Sequence, residues 1–374
     1  MGTQELTTDI IRAALASIPG PDGRTPLPRS GSLSEIVVHK GKVYFAIHVE
    51  AARAAQLEPL RLAAENIVRG IPGVEGVIVS LTDEKPAGAT ASTDNRQPGP
   101  RARAATTKAG VPGVKHIIAV ASGKGGVGKS TTAANLALAL SQLGHKVGLM
   151  DADIYGPSLP KLFGLSDKKP ESEGRTLKPL TAYGLKLMSI GFLVDQEAAM
   201  IWRGPMVMSA LQQILREVAW GELDILVVDM PPGTGDAQLT MAQSVPLSGA
   251  VIVSTPQDLA LIDARRGVTM FEQVAVPVLG VIENMSYFIC PHCSTRSDIF
   301  GHGGACTEAH RRGVPFLGEI ALDMTIRETS DAGKPIVATA PEGPHAQAYL
   351  AIAKQVAESL AAPQRQPPRI VIER

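Results

Sequence analysis

At 374 residues, 44% hydrophobic and 19% charged, the chain is long enough for two domains and too apolar for wholesale disorder. Its 36 Lys and Arg balance 36 Asp and Glu, so no global charge steers it to nucleic acid or a membrane surface, and neither is expected as a partner. Three cysteines are too few for a disulfide scaffold and fit a reducing, cytoplasmic setting. The opening MGTQELTTDIIRAALASI lacks a basic stretch before an apolar one, so no signal peptide is expected. No apolar run approaches the roughly 20 residues that a membrane span needs.

In chain order, residues 1–83 read as a small α/β domain. Leu6–Ile18 and Ala51–Arg69 carry apolar residues at helical spacing. Ile36–Val38 and Lys42–His48 alternate as strands around Lys40-Gly41, and Val74–Leu81 closes the domain as a third strand. Residues 84–114 read as a flexible linker dominated by Pro, Gly, Ala, Ser and Thr. Its Arg96, Arg101, Arg103 and Lys108 have no aromatic neighbours for base stacking, which favours a solvated tether. Residues 115–362 alternate strand-like and helix-like stretches, the pattern of a doubly wound, mostly parallel α/β sheet, and 363–374 form a tail.

The large domain begins with a phosphate-binding loop. Gly123-Lys124-Gly125-Gly126-Val127-Gly128-Lys129-Ser130 fits G-x-x-x-x-G-K-[ST]. The strand-like HIIAVAS precedes it, and the Ala/Leu-rich STTAANLALALSQL, with Thr131 in its first turn, follows. Glycines let backbone N–H groups close around phosphate oxygens, Lys129 supplies a point charge, and Ser130 offers a hydroxyl to Mg²⁺. The helix start adds its positive end, so Gly123 through Thr131 are the nucleotide-binding candidates.

Further polar residues end the following strands. KVGLMD ends at Asp151 with Asp153 just beyond. DILVVDM ends at Asp229, about 100 residues after the loop, the place of a carboxylate that holds Mg²⁺. Pro231 to Asp236 (PPGTGD) forms a glycine-rich turn suited to a switch segment. GAVIVSTP ends near Pro256, and PVLGVIEN ends at Asn284, whose amide has a donor and an acceptor to match a base edge.

Cys290-Pro291-His292-Cys293 is the second chemical signal. Two thiolates three positions apart grip one soft metal centre, yet an iron–sulfur cluster commonly takes four. A symmetric homodimer completes the set with two cysteines from each subunit. Two other readings stand beside it. Cys290, Cys293, His302 and Cys306, spaced x2, x8 and x3, suit Zn²⁺ within one subunit, and the thiols also fit an inert pair.

KGGVGKS, DADIYGPSLP, MIWRGPM, DILVVDMPPGTGD, VIENMSYFICPHC and IFGHGGA resemble successive blocks of the Mrp/ApbC/Nbp-type iron–sulfur cluster carrier ATPases, within the MinD/ParA-like superfamily. The resemblance spans roughly 114–361. The first 83 residues resemble, more weakly, the small MIP-type domain of iron–sulfur assembly proteins. They depart from it in reading PGPDGRTP after the first helix and in having no cysteine before the second. The resemblance implies ATP binding and hydrolysis, a homodimer, a transient [4Fe–4S] cluster on Cys290 and Cys293, and transfer to apoproteins alongside the cluster assembly machinery. It implies that Lys124 reaches the partner subunit's nucleotide, that Asp153 positions or deprotonates the attacking water near Asp151, and that Asn284 meets adenine. Cys306 is not a ligand in that pattern. Two competing classes are a MinD/ParA-like positioning ATPase with a structural zinc, and an electron-donating ATPase of the nitrogenase iron-protein kind. The proline-broken tail AAPQRQPPRIVIER argues against a membrane-targeting helix for the first. The closeness of the two cysteines argues against the second.

Overall fold

A computed structural model describes residues 6–82 apart from 40, 50–52, 54, 55 and 75, residues 110–193 apart from 175, and residues 204–362. The chain forms two compact units, one of residues 1–107 with 196–213 and one of 108–195 with 214–374. Nearly all of the expected linker, the tail and the start of the MIWRGPM block lie outside the described residues.

The smaller unit holds α1 (Thr8–Leu15), β1 (Val37–His39), β2 (Lys42–His48), α2 (Glu58–Arg69) and β3 (Gly76–Thr82). β1 and β2 pair antiparallel, and β2 and β3 pair parallel across the α2 crossover. Alternate residues Val43, Phe45 and Ile47 of β2 join Val77 and Val79 of β3 in one core with Ile11, Leu15, Ala64 and Val68 from the helices. The buried Glu65 is held by Arg61 at 2.7 Å and Arg69 at 2.6 Å. The second helix begins at Glu58, later than the expected Ala51, with Pro59 in its first turn where a missing N–H costs nothing.

The larger unit starts with β4 (Val114–Ala121), α3 (Lys129–Gln142), β5 (Val147–Asp151) and α4 (Leu159–Leu162). The hairpin strands β6 (Ser172–Glu173) and β7 (Thr176–Leu177) follow, then β8 (Leu180–Ala182), β9 (Leu185–Ser189), α5 (Gly204–Glu217), whose residues up to 213 are counted with the smaller unit, and β10 (Leu223–Asp229). Next come α6 (Asp236–Ser244), β11 (Gly249–Ser254), α7 (Asp258–Gln273), β12 (Val278–Asn284), β13 (Phe288–Ile289) and β14 (Arg296–Ser297). The unit closes with α8 (Gly304–Arg312), β15 (Phe316–Ile320), α9 (Met324–Asp331), α10 (Ile336–Thr339) and α11 (Pro344–Ala361). The main sheet has the order β15-β12-β11-β4-β10-β5-β9-β8, parallel throughout except at the β8 edge. Strands buried on both faces explain the near-continuous apolar runs: every residue of β5 and β11 is buried.

The sheet order places the site. β4 lies at the centre, with β10 on one side and β11 on the other, so the chain leaves β4 in opposite directions. That is the crevice where open α/β sheets bind ligands, outside the carboxyl ends of the strands. α3 is buried from Thr132 to Leu140, which explains its lack of a polar face; it packs against β5 and α11. Asn135 ties it down further, accepting from the Val337 backbone N–H at 3.1 Å.

Candidate nucleotide site and cysteine hairpin

The loop from Ser122 to Gly128 joins the central strand to the buried helix. Its glycines meet different demands. A Cβ on Gly123 would stand 2.2 Å from the backbone carbonyl carbon of Asp263 in α7, so this glycine is a close approach between loop and helix. Gly126 and Gly128 have φ of +81° and +79°, the left-handed region that suits glycine. Gly125 and Gly126 are exposed and face open space. Lys124 is half-buried, and Ser122 Oγ donates to its carbonyl at 2.9 Å.

Lys129 and Asp229 form a buried ion pair. Lys129 Nζ lies 2.6 Å from Asp229 Oδ1, with side-chain exposures of 6% and 4%, and 3.2 Å from Ser130 Oγ. Burial pushes the Asp229 pKa up, against the pull of Lys129 and Ser130. Thr131 is half-buried, and its carbonyl accepts from Asn135 Nδ2 at 2.9 Å. A lysine, a hydroxyl and a carboxylate converge beside open backbone N–H groups. The hard oxygens of Ser130 and Asp229 fit Mg²⁺, and the lysine and glycine loop fit the phosphates of a nucleotide.

Asp151 is fully buried beside Asp229. It accepts backbone N–H groups of Asp153, Ser158 and Leu159 at 3.0–3.1 Å and the Ser189 hydroxyl at 3.0 Å. Burial first, then the Asp229 charge, raises its pKa to about 7. It anchors the turn that carries Asp153, which is 9% exposed and accepts from the Gly156 N–H at 3.3 Å. The segment after Asp229 is tied back to the start of the loop by Gly233 N–H to the Ser122 carbonyl at 3.0 Å. Asn284 comes from two strands away: its Nδ2 donates to the Val127 carbonyl at 2.8 Å and lies where a Cβ on Gly128 would stand. In this structure its amide N–H is committed to the phosphate loop.

The two cysteines stand in a different setting. β13 and β14 pair antiparallel with Ile289 opposite Arg296, and the hairpin between them carries the CxxC. Cys290 N–H donates to the Thr295 carbonyl at 3.0 Å, and Ser294 N–H to the Cys290 carbonyl at 2.8 Å. Cys290 is half-buried and Cys293 exposed, and all three cysteines are free thiols. Hydrogen bonding from Thr295, hydroxyl first, and from Cys290 holds the Cys293 thiol below its ordinary pKa. Among the described residues, Cys290, Cys293, His302 and Cys306 do not gather as one ligand set. His302 faces Ser286, Arg296 and Glu319, and Cys306 Sγ lies 3.6 Å from His310 Nδ1.

A family model described as the NUBPL iron-transfer P-loop NTPase matches residues 113–357. The chain belongs to this family. A second model, described as an iron–sulfur cluster assembly protein, matches residues 8–81 of this iron-transfer NTPase. An iron–sulfur cluster carrier protein from Synechocystis is 45% identical over 357 residues, 94% of this chain and 97% of its own length. The iron–sulfur cluster transfer protein NUBPL of Dictyostelium discoideum is 55% identical over 256 residues, 68% of this chain and 79% of its own. Among solved structures, a nucleotide-binding protein from Archaeoglobus fulgidus in complex with ADP aligns at TM-score 0.55 and 42% identity, over 63% of this chain and 91% of its own. The cell division ATPase MinD of Pyrococcus furiosus aligns at TM-score 0.50 and 22% identity, over 65% of this chain and 98% of its own, a likeness of fold.

Sequence reasoning missed Glu283, Ser189 and Arg296. Glu283 is wholly buried and accepts from the backbone N–H groups of Gly303 at 2.9 Å and Ala305 at 2.7 Å. An acid inside the apolar run PVLGVIEN was a legible signal. Ser189 reaches Asp151 from 38 residues away with no such signal.

Proposed function

We propose that the chain is an ATP-hydrolysing carrier of a labile [4Fe–4S] cluster. The cluster is cargo, held between two copies of the chain by Cys290 and Cys293 of each and passed to apo iron–sulfur proteins. One observation carries this reading. In a chain of the iron-transfer NTPase family, a pair of free thiols, Cys290 half-buried and Cys293 exposed, stands on a hairpin that begins four residues after Asn284, which itself touches the phosphate loop.

The places of the residues support the following roles. Loop N–H groups and Lys129 bind the phosphates, with Lys129 exchanging Asp229 for phosphate oxygens. Ser130 and Asp229 are then free to hold Mg²⁺, which when bound neutralises charge on the phosphoryl oxygens. Asp153, on the turn anchored by Asp151, orients the attacking water; Lys124 serves the nucleotide of the second copy; Asn284 props the loop and lies toward the base. We take the domains as 1–83, 84–114, 115–362 and a tail of 363–374, although residues 196–213 group with the first unit, and assign the first, cysteine-free domain to docking protein partners. Free thiols suit a reducing cytosol, and among the described residues no helix is long and apolar enough to cross a membrane.

Anaerobic reconstitution with iron and sulfide tests the reading. About four irons and four sulfides per dimer, with a visible chromophore lost in Cys290→Ser/Cys293→Ser, is the expected result. One zinc per monomer without a chromophore would overturn it.

A further inference from the structure

The end of β12 touches two places at once. Successive side chains of a strand point to opposite faces, so Asn284 and Glu283 part company. Asn284 reaches the phosphate loop at the Val127 carbonyl, 2.8 Å away. Glu283 accepts from the Ser286 hydroxyl at 2.6 Å as well as from the first turn of α8. Ser286 Oγ lies 3.3 Å from His302 Nδ1, and that nitrogen lies 2.8 Å from Arg296 Nη2.

Arg296 belongs to the cysteine hairpin, opposite Ile289 and next to Thr295, the residue that hydrogen-bonds both Cys290 and Cys293. Its guanidinium lies 4.3 Å from the Tyr287 ring centroid, and its Nε lies 3.1 Å from Asp298 Oδ1. Residues 291–299 are all exposed, so no core packing fixes the hairpin and a few polar contacts set its orientation. Glu283, His302 and Glu319 bring donor atoms within 4.8 Å of one another, a spacing that would suit a divalent cation. The Arg296 guanidinium already supplies the positive charge there, and backbone N–H groups occupy both Glu283 oxygens.

We infer that Arg296, seated on the Glu283–Ser286–His302 contacts at the end of β12, is a positioning residue that makes the accessibility of Cys290 and Cys293 follow the occupancy of the phosphate loop. The inference deepens the carrier reading and rests on it for its purpose: cargo would be held or released according to nucleotide state. Its physical content stands on the two faces of one strand terminus, where a shift of Asn284 with the loop moves Glu283 and hence the seat of Arg296.

The test is the rate of thiol alkylation in a Cys306→Ser background, with and without a non-hydrolysable ATP analogue and Mg²⁺. It needs no iron, so it reads the relay even where reconstitution fails and the carrier reading falls. Nucleotide should change the rate at Cys290 and Cys293 by about fivefold or more when Arg296 is present, and by less than about twofold in Arg296→Ala, with nucleotide affinity unchanged. Arg296→Lys should behave as Arg296→Ala, because an ammonium lacks the planar fork that spans Tyr287, Asp298 and His302. Equal rates with and without nucleotide in the parent would overturn the inference. So would a nucleotide effect that persists in Arg296→Ala, including one that grows with protein concentration, since that is masking by a second copy.

Discussion

Lys129 and Asp229 meet 2.6 Å apart behind 6% and 4% exposure, while Cys293 stands in the open on a two-residue-per-strand hairpin. The first site is built into the sheet: each acid comes from the carboxyl end of a core strand, and Asp151 accepts three hydrogen bonds from one turn and a fourth from Ser189 of β9. The second is an appendage held by Arg296 and a few backbone bonds. Rigidity suits phosphoryl transfer, where catalysis is positioning and electrostatics. Openness suits a cargo that must be received and given up, because a buried centre exchanges poorly.

Breaking the rigid site should have the largest effect. Lys129→Ala should lower hydrolysis by about 100-fold or more, measured as phosphate release. The same change strands Asp229, so the nucleotide-free protein should lose about 3 kcal/mol in urea unfolding while still folding. Unchanged hydrolysis would show that the phosphate site lies elsewhere.

Gly123→Ala should cost about 1–3 kcal/mol, because the added methyl meets the Asp263 backbone, which cannot swing aside like a side chain. The corresponding change at Gly125, where open space surrounds the loop, should leave stability nearly unchanged. Equal losses at both would mean that the loop's glycines share one role.

The Asp151 carboxyl gives the comparison a pH axis. Its native pKa of about 7 lies above the ordinary 3.8, so in that window the native state holds a proton that the unfolded state has lost. Asp151 should therefore make stability of the nucleotide-free, magnesium-free protein fall as pH rises from about 4 to 7, contributing at most about 1.4 kcal/mol per pH unit, and the raised Asp229 acts in the same direction. Asp151→Asn should flatten that slope, read from urea midpoints at pH 5 and 8.

The smallest effect belongs to the open site. Cys290→Ser/Cys293→Ser should leave unfolding stability within about 0.5 kcal/mol and basal hydrolysis unaltered while cargo binding is lost. A large loss of stability would make the hairpin a folding element rather than an appendage.

Local chemistry is written in consecutive residues, and so is legible in the sequence. Gly123–Ser130 announces a phosphate loop because one strand, one turn and one helix suffice to form it, and the cysteine pair is a single hairpin. The apolar runs ending at Asp151, Asp229 and Asn284 point to a parallel sheet, since strands covered on both faces need no polar side. What stays hidden depends on contacts between distant segments. Gly123 is required by α7, Ser189 closes on Asp151 from β9, and Asn284 seats on Val127 across 157 residues. Only the packing of the sheet decides that His302 meets Arg296 and not the cysteines, and that Glu283 and Asn284, adjacent in sequence, face a helix start and a phosphate loop. The sequence alone determined the chemical groups and the strands that carry them, because both are local. The order of the strands, and with it every partner across the sheet, was decided by the tertiary fold, because burial selects among neighbours that no local pattern distinguishes.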